Sequence, residues 1–345
     1  MQTLEKNTAE LVPAKWWEPA EKNKILCTLC PRYCKIGEGQ PGFCFIRQNH
    51  GGKLYTIGYG RPTGFAIDPV EKKPLNHFYP GTSILSFGTA GCNLGCKFCQ
   101  NWSISKAKLD DSNSLESSPR DVVNLAKHYK VPSIAYTYND PTIFGEYVID
   151  ISRLAREEGI KSVMVTAGYI DRDARKEVYK FIDAANVDLK GFTERFYSKL
   201  TFSSLRDVLD TLIWLKNETE VWFEITTLLI PGENDTPEEI QNECSWILEN
   251  LGDSVPLHFT AFHPDFRMRD KTRTPQSTLI SARDIAIKSG IKFCYVGNIH
   301  DLEGQTTYCP NCKTPLVKRD WHDVFMNKMD NGKCYKCHTI IPGIF

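Results

Sequence analysis

Eleven of the thirteen cysteines in this 345-residue chain fall into three short-spaced groups. They are Cys27, Cys30, Cys34 and Cys44; Cys92, Cys96 and Cys99; and Cys309, Cys312, Cys334 and Cys337. A disulfide framework belongs to small secreted domains with dispersed cysteines, so clustering in a chain of this length points to metal binding. The first residues, polar and partly acidic, are expected to be neither a secretory signal nor a transit peptide. Cys244 and Cys294 stand alone within apolar patterns and are expected in the core.

The central group lies in GTAGCNLGCKFCQNW, residues 88–102, directly after an apolar run. Three thiolates on a loop loosened by Gly91 and Gly95 can hold three irons of a 4Fe-4S cluster and leave the fourth without a protein ligand. An open metal position marks a reactive site, because structural sites fill their shells. The competing reading is a three-cysteine zinc site completed by a distant His or Asp. The tail pairs Cys309-x-x-Cys312 with Cys334-x-x-Cys337, a paired knuckle expected to form a tetrahedral zinc-ribbon or rubredoxin-like site, with zinc ahead of iron. His338 is surplus to that shell. The amino-terminal group, CTLCPRYCKIGEGQPGFC, departs from ferredoxin spacing and leaves two readings open: structural zinc, or a second iron-sulfur cluster that relays electrons.

These ligands need elements to position them. Apolar runs at 82–88, 133–138, 161–167, 186–190, 221–230, 257–262 and 292–297 read as strands, alternating with amphipathic helical stretches. Ser118 before Pro119 and Asp121, and Thr236 before Pro237 and Glu239, carry helix-start chemistry. The alternation predicts a parallel α/β sheet, either doubly wound or a full or partial barrel, with the Cys92 loop at a strand's C-terminal end, where such folds place their chemistry. The expected organisation is an irregular four-cysteine extension over 1–80, the sheet domain over 81–303 and the paired-knuckle module over 304–345.

Composition restricts the function classes. The apolar fraction of 41% supplies a core, and 42 Lys and Arg balance 42 Asp and Glu, which removes the bulk electrostatic argument for nucleic-acid or anionic-membrane binding. The tail carries six Lys and Arg against three Asp, an excess that metal-bound thiolates largely cancel. No apolar run approaches the ~20 residues of a membrane span, so a cytoplasmic protein is expected.

The central motif, with DPVEKKPLNHFYPG at 68–81, YTYNDPTIF at 136–144, TLLIPGENDT at 227–236 and HFTAFHPD at 258–265, resembles the radical S-adenosylmethionine (SAM) superfamily. Within it the chain is similar to the pyruvate formate-lyase-activating-enzyme-like branch and to the radical SAM member of the AmmeMemoRadiSam group. The resemblance implies a partial (β/α)6 TIM-type barrel. It also implies a 4Fe-4S cluster on Cys92, Cys96 and Cys99, and reductive cleavage of SAM to a 5'-deoxyadenosyl radical that abstracts hydrogen from a substrate. Asn139, Asp140 and Pro141 match the family's Gly-Gly-Glu-Pro stretch for the methionine ammonium. Thr166 and Gly168 match a segment that holds the methionine part, Asp188 and Lys190 an Asp-x-Lys segment near the ribose and carboxylate, His263 a His beside the nucleoside, and Phe98 an aromatic on adenine. His77 reads as a turn-stabilising histidine or as a group facing the barrel mouth.

The implied partners are a low-potential donor such as ferredoxin or flavodoxin, a protein, peptide or small-molecule substrate, and Memo-like and AMMECR-like proteins. One implied activity is an oxidoreductase that installs a glycyl radical on a partner enzyme, although the ferredoxin-like insertion of many such activases is lacking after the motif. The alternative from another class is a noncatalytic metal-binding or electron-relay scaffold.

Overall fold

In the computed structural model, which describes residues 11–110 and 112–345, an eight-stranded sheet runs through the molecule. Its strands are β1 (Thr63–Pro69), β2 (Ser83–Gly88), β3 (Ser133–Tyr136), β4 (Lys161–Thr166), β5 (Ala184–Asp188), β6 (Trp222–Leu229), β7 (Leu257–Ala261) and β8 (Cys294–Gly297). They lie side by side in chain order, β2 to β8 parallel and β1 antiparallel on β2. Six helices make the crossovers: α1 (Pro119–His128), α2 (Gly145–Glu157), α3 (Arg172–Val178), α4 (Leu205–Glu218), α5 (Pro237–Asn250) and α6 (Gln276–Ser289). Each returns the chain beside the strand it left, so the C-terminal ends of seven strands share one edge.

The local chemistry explains the elements. Ser118 accepts from the Asp121 amide while the Asp121 carboxylate accepts from the Ser118 amide, a complete capping box at the start of α1. Thr236 caps α5 through the Glu239 amide. Every residue of β3 and β7 is buried, as expected for parallel strands covered on both faces, and Cys244 and Cys294 sit in the core.

Both flanks are more ordered than their composition indicates. The first builds two small three-stranded sheets and also supplies β1 to the main sheet. Its Arg47, 1% exposed, makes two 3.0 Å bonds to the Glu146 carboxylate of α2, a bidentate pair that fixes the extension to the sheet domain. The last forms a three-stranded sheet around Pro315–Asp320, whose Arg319 donates to the Asn76 carbonyl at 2.7 Å and faces Glu71 at 3.5 Å. His77 is fully buried, with one ring nitrogen 2.7 Å from the Pro342 carbonyl and the other 2.6 Å from the Tyr295 hydroxyl. Its ring therefore ties the first flank to the tail and to β8, and it neither braces its own turn nor lines the mouth. Among the described residues no helix is long and apolar enough to cross a membrane.

Candidate active site

The C-terminal ends of β2 to β8 open into a cavity of about 430 Å³. The loop that follows β2 enters it first, and its path is set by backbone contacts. Gly91 has φ +88°, and a Cβ there would fall 2.1 Å from the Cys44 carbonyl oxygen, so only glycine fits. The Gly95 and Lys97 amides donate to the Thr201 and Leu200 carbonyls, and the Arg267 amide donates to the Lys97 carbonyl. Asn139 holds the approach: its amide group donates to Gly91 O at 2.8 Å and Thr89 Oγ1 at 3.1 Å, and its carbonyl accepts from the Thr89 amide.

Cys92, Cys96 and Cys99 all line the cavity. The Leu94 amide points at the Cys92 sulfur at 3.4 Å, and the Ser105 hydroxyl lies 3.1 Å from the Cys99 sulfur. Burial pushes the Cys92 thiol up to about 11 and the Cys96 thiol to about 12; Lys106 and Lys190 oppose the rise. Such thiols give up their protons when a metal takes the sulfur. The three sulfurs do not all fall within 4.8 Å of one another, whereas four thiolates on one zinc stand about 3.8 Å apart. The donor set therefore fits a polynuclear cluster better than a single ion.

Phe98, Asn139, Asp140, Thr166, Asp188 and Lys190 are brought to the same cavity. The Asp140 carboxylate accepts from the Thr142 amide, the Ala167 amide and the Thr166 hydroxyl, and burial raises its pKa in spite of them. It ties the end of β4 to the turn after β3. Lys190 Nζ lies 2.6 Å from Asp188 Oδ2. Burial opposes its charge, but Asp188 and Cys96 together hold it protonated. Pro141 and Gly168 stand behind the lining, and His263 is not brought to the cavity. β7 ends at Ala261 and Phe262 turns inward, so the next side chain, His263, faces solvent, its Nδ1 3.5 Å from the Pro264 carbonyl.

Residues that the sequence did not single out complete the walls. Lys73 and Asn76 come from the first flank, Arg319 and His322 from the last, and His258 from β7, paired with Glu224 at 2.7 Å. The paired lysines of EKKP were the available signal for the first; nothing local marks Arg319. The tail's four cysteines close on one another: Cys309 and Cys337 sulfurs stand 3.5 Å apart, Cys312 and Cys334 3.7 Å, and all four lie within 4.8 Å, which fits one tetrahedral ion.

The sequence pattern of the radical SAM superfamily matches residues 87–244. An uncharacterised protein of Methanocaldococcus jannaschii is 42% identical over 306 residues, covering 89% of this chain and 91% of its own. The pyruvate formate-lyase-activating enzyme of Clostridium pasteurianum is 23% identical over 197 residues, 52% of this chain and 80% of its own. Streptococcus suis SuiB bound to the precursor peptide SuiA shares the fold, with a TM-score of 0.51 at 14% identity over 67% of this chain and 52% of that one. The matched span begins in β2, includes all three cavity cysteines and runs into α5; with a relative alike over nine-tenths of both chains, the chain belongs to the radical SAM superfamily.

Proposed function

We propose that this protein cleaves SAM reductively and abstracts a hydrogen atom from a substrate held in the cavity. The reading is carried by one observation: three thiols, too few to close a cluster and too widely set for a single ion, face a 430 Å³ space at the ends of seven parallel strands. A 4Fe-4S cluster on Cys92, Cys96 and Cys99, with SAM on its open iron, supplies the one-electron cleavage that yields the 5'-deoxyadenosyl radical.

The chain's part is position and exclusion of water. Asn139 holds the loop that bears the thiols, and Lys190, kept charged by Asp188 beside Cys96, faces the place of a SAM carboxylate. Thr166, Asp140 and Phe98 wall the space for the methionine and adenine parts, and Pro141 and Gly168 shape the turns behind them. The two flanks cover the far side with Lys73 and Arg319, which keeps solvent from a reactive radical. In this reading the sheet curves as a partial (β/α)6 barrel over 81–303, joined at its edge by β1 of the first flank, with 1–80 and 304–345 bearing their own metal sites and zinc at the tail. The named activating-enzyme relative supports a glycyl-radical activase of a protein partner, fed by a ferredoxin or flavodoxin; Memo-like and AMMECR-like proteins are the partners implied by the sequence resemblance.

Anaerobic reconstitution with iron and sulfide, followed by dithionite and SAM, is expected to yield 5'-deoxyadenosine and methionine by chromatography. A fully loaded, reduced protein that forms neither overturns the reading in favour of the scaffold.

A further inference from the structure

Cys27, Cys30, Cys34 and Cys44 line a second cavity, of about 20 Å³, which shares no lining residue with the first. Three of the four are buried. Their sulfurs do not close to the single-ion spacing that the tail cysteines reach, although all four residues line the same space. One tetrahedral zinc, with thiolates about 3.8 Å apart, fits the tail and not this site. The geometry points to a second 4Fe-4S cluster on Cys27, Cys30, Cys34 and Cys44 that passes electrons to the Cys92 loop.

The amide of Arg32 faces the Cys30 sulfur, and the amides of Ile46 and Arg47 face that of Cys44, so the site holds thiolates as the tail knuckle does. One further observation favours a sulfide-bearing group. Arg47 lines the cavity, and its terminal nitrogens are taken by Glu146 and the Lys15 carbonyl, yet its buried Nε has no hydrogen-bond partner. Buried donors are nearly always satisfied, and cluster sulfides are acceptors that such a donor would serve.

The relay role rests on what separates the two cavities. Cys92 lines the first, and its neighbour Asn93 lines the second. The Cys44 carbonyl packs on Gly91, and Arg32 Nε donates to the Asn93 carbonyl at 3.1 Å. The four-cysteine loop is thus seated on the back of the radical loop, one residue from its first ligand. On the other side, Tyr33 and Phe43 beside Cys34 are exposed, at 47% and 41%, so the site lies just under the surface. A reduced low-potential iron-sulfur or flavin protein gives one electron to this cluster. The electron then moves to the Cys92 cluster, which is reduced as the first is reoxidised; no bond or proton changes.

The cluster assignment is independent of the proposed SAM chemistry, and the first experiment keeps the two apart. A Cys92→Ala, Cys96→Ala, Cys99→Ala variant of the full chain lacks the radical-loop ligands and leaves this site intact. After anaerobic reconstitution it is expected to hold about four inorganic sulfides per chain. It should also give, on dithionite reduction, an EPR signal that SAM does not alter. Zinc in place of sulfide, in a variant with the circular dichroism of the parent, overturns the assignment. In the parent background, Cys30→Ser with Cys44→Ser is expected to lose that sulfide and keep the SAM-responsive signal. It should also lose the fast phase of reduction by a reduced ferredoxin while dithionite still reduces the remaining cluster. Unchanged sulfide refutes the ligand set, and an unchanged fast phase refutes the relay.

Discussion

The tail and the central loop use the same side chain to opposite ends. At the tail, four thiols from two knuckles close to within 4.8 Å at the edge of a small sheet, and a metal there is walled off by its own ligands. In the loop, three thiols are held apart by contacts with Thr201, Leu200 and Asn139, and they face a cavity. The difference teaches that reactivity here comes from an unclosed shell placed where strand ends converge, and not from the cysteines themselves.

The sharpest way to break that contrast is Cys96→Ala. It should reduce 5'-deoxyadenosine formation to background while the tail keeps its metal, read by elemental analysis; SAM cleavage that survives makes the loop structural. The mirror experiment, Cys312→Ser with Cys337→Ser, should remove the tail metal and leave the loop iron. Structural zinc contributes on the order of 10 kcal/mol to the folding of its module. Calorimetry should accordingly show a separate low-temperature transition, and a single unshifted one would mean that the tail needs no ion.

Arg319→Met tests whether the tail also walls the reactive cavity. The guanidinium and Glu71 are both nearly inaccessible, and breaking such a pair costs about 3 kcal/mol in denaturant unfolding. SAM cleavage measured in the folded variant then reports how much the cavity depends on that wall. Asp188→Ala should slow SAM cleavage by about 10- to 100-fold at unchanged iron content, since Lys190 loses the partner that holds it beside Cys96. Wild-type kinetics would exclude the pair from the site.

The smallest effect is a pH dependence of how the tail docks. Burial lowers the His77 pKa from 6.5 to about 4, so the native ring stays neutral where the unfolded one gains a proton. The unfolded state therefore binds more protons between pH 6.5 and 4, and stability falls as pH is lowered through that window. His77→Gln should flatten this part of the stability profile. A parent protein as stable at pH 4.5 as at 7 would contradict the assignment.

The strands were legible because apolar runs of five to ten residues between amphipathic helical stretches admit few alternatives. The expected 161–167 and 257–262 became Lys161–Thr166 and Leu257–Ala261. The sheets of the first flank were not, since strands of two to four residues are too short to show a period. His263 lies outside the cavity lining for a related reason: side chains alternate, so one residue past the end of β7 decides between cavity and solvent.

Ligand type, ligand count and the alternation of strand with helix are local matters, written in spacing and periodicity, and the sequence alone determined them; the order of the strands came from the structure. Whether thiols close on one ion or stand apart around a larger group depends on contacts between residues far apart in the chain. The Cys44 carbonyl against Gly91, Arg47 on Glu146 and Arg319 on Asn76 are such contacts. No local pattern encodes those distances, because they are set by how the flanks pack on the sheet; only the tertiary structure decided them.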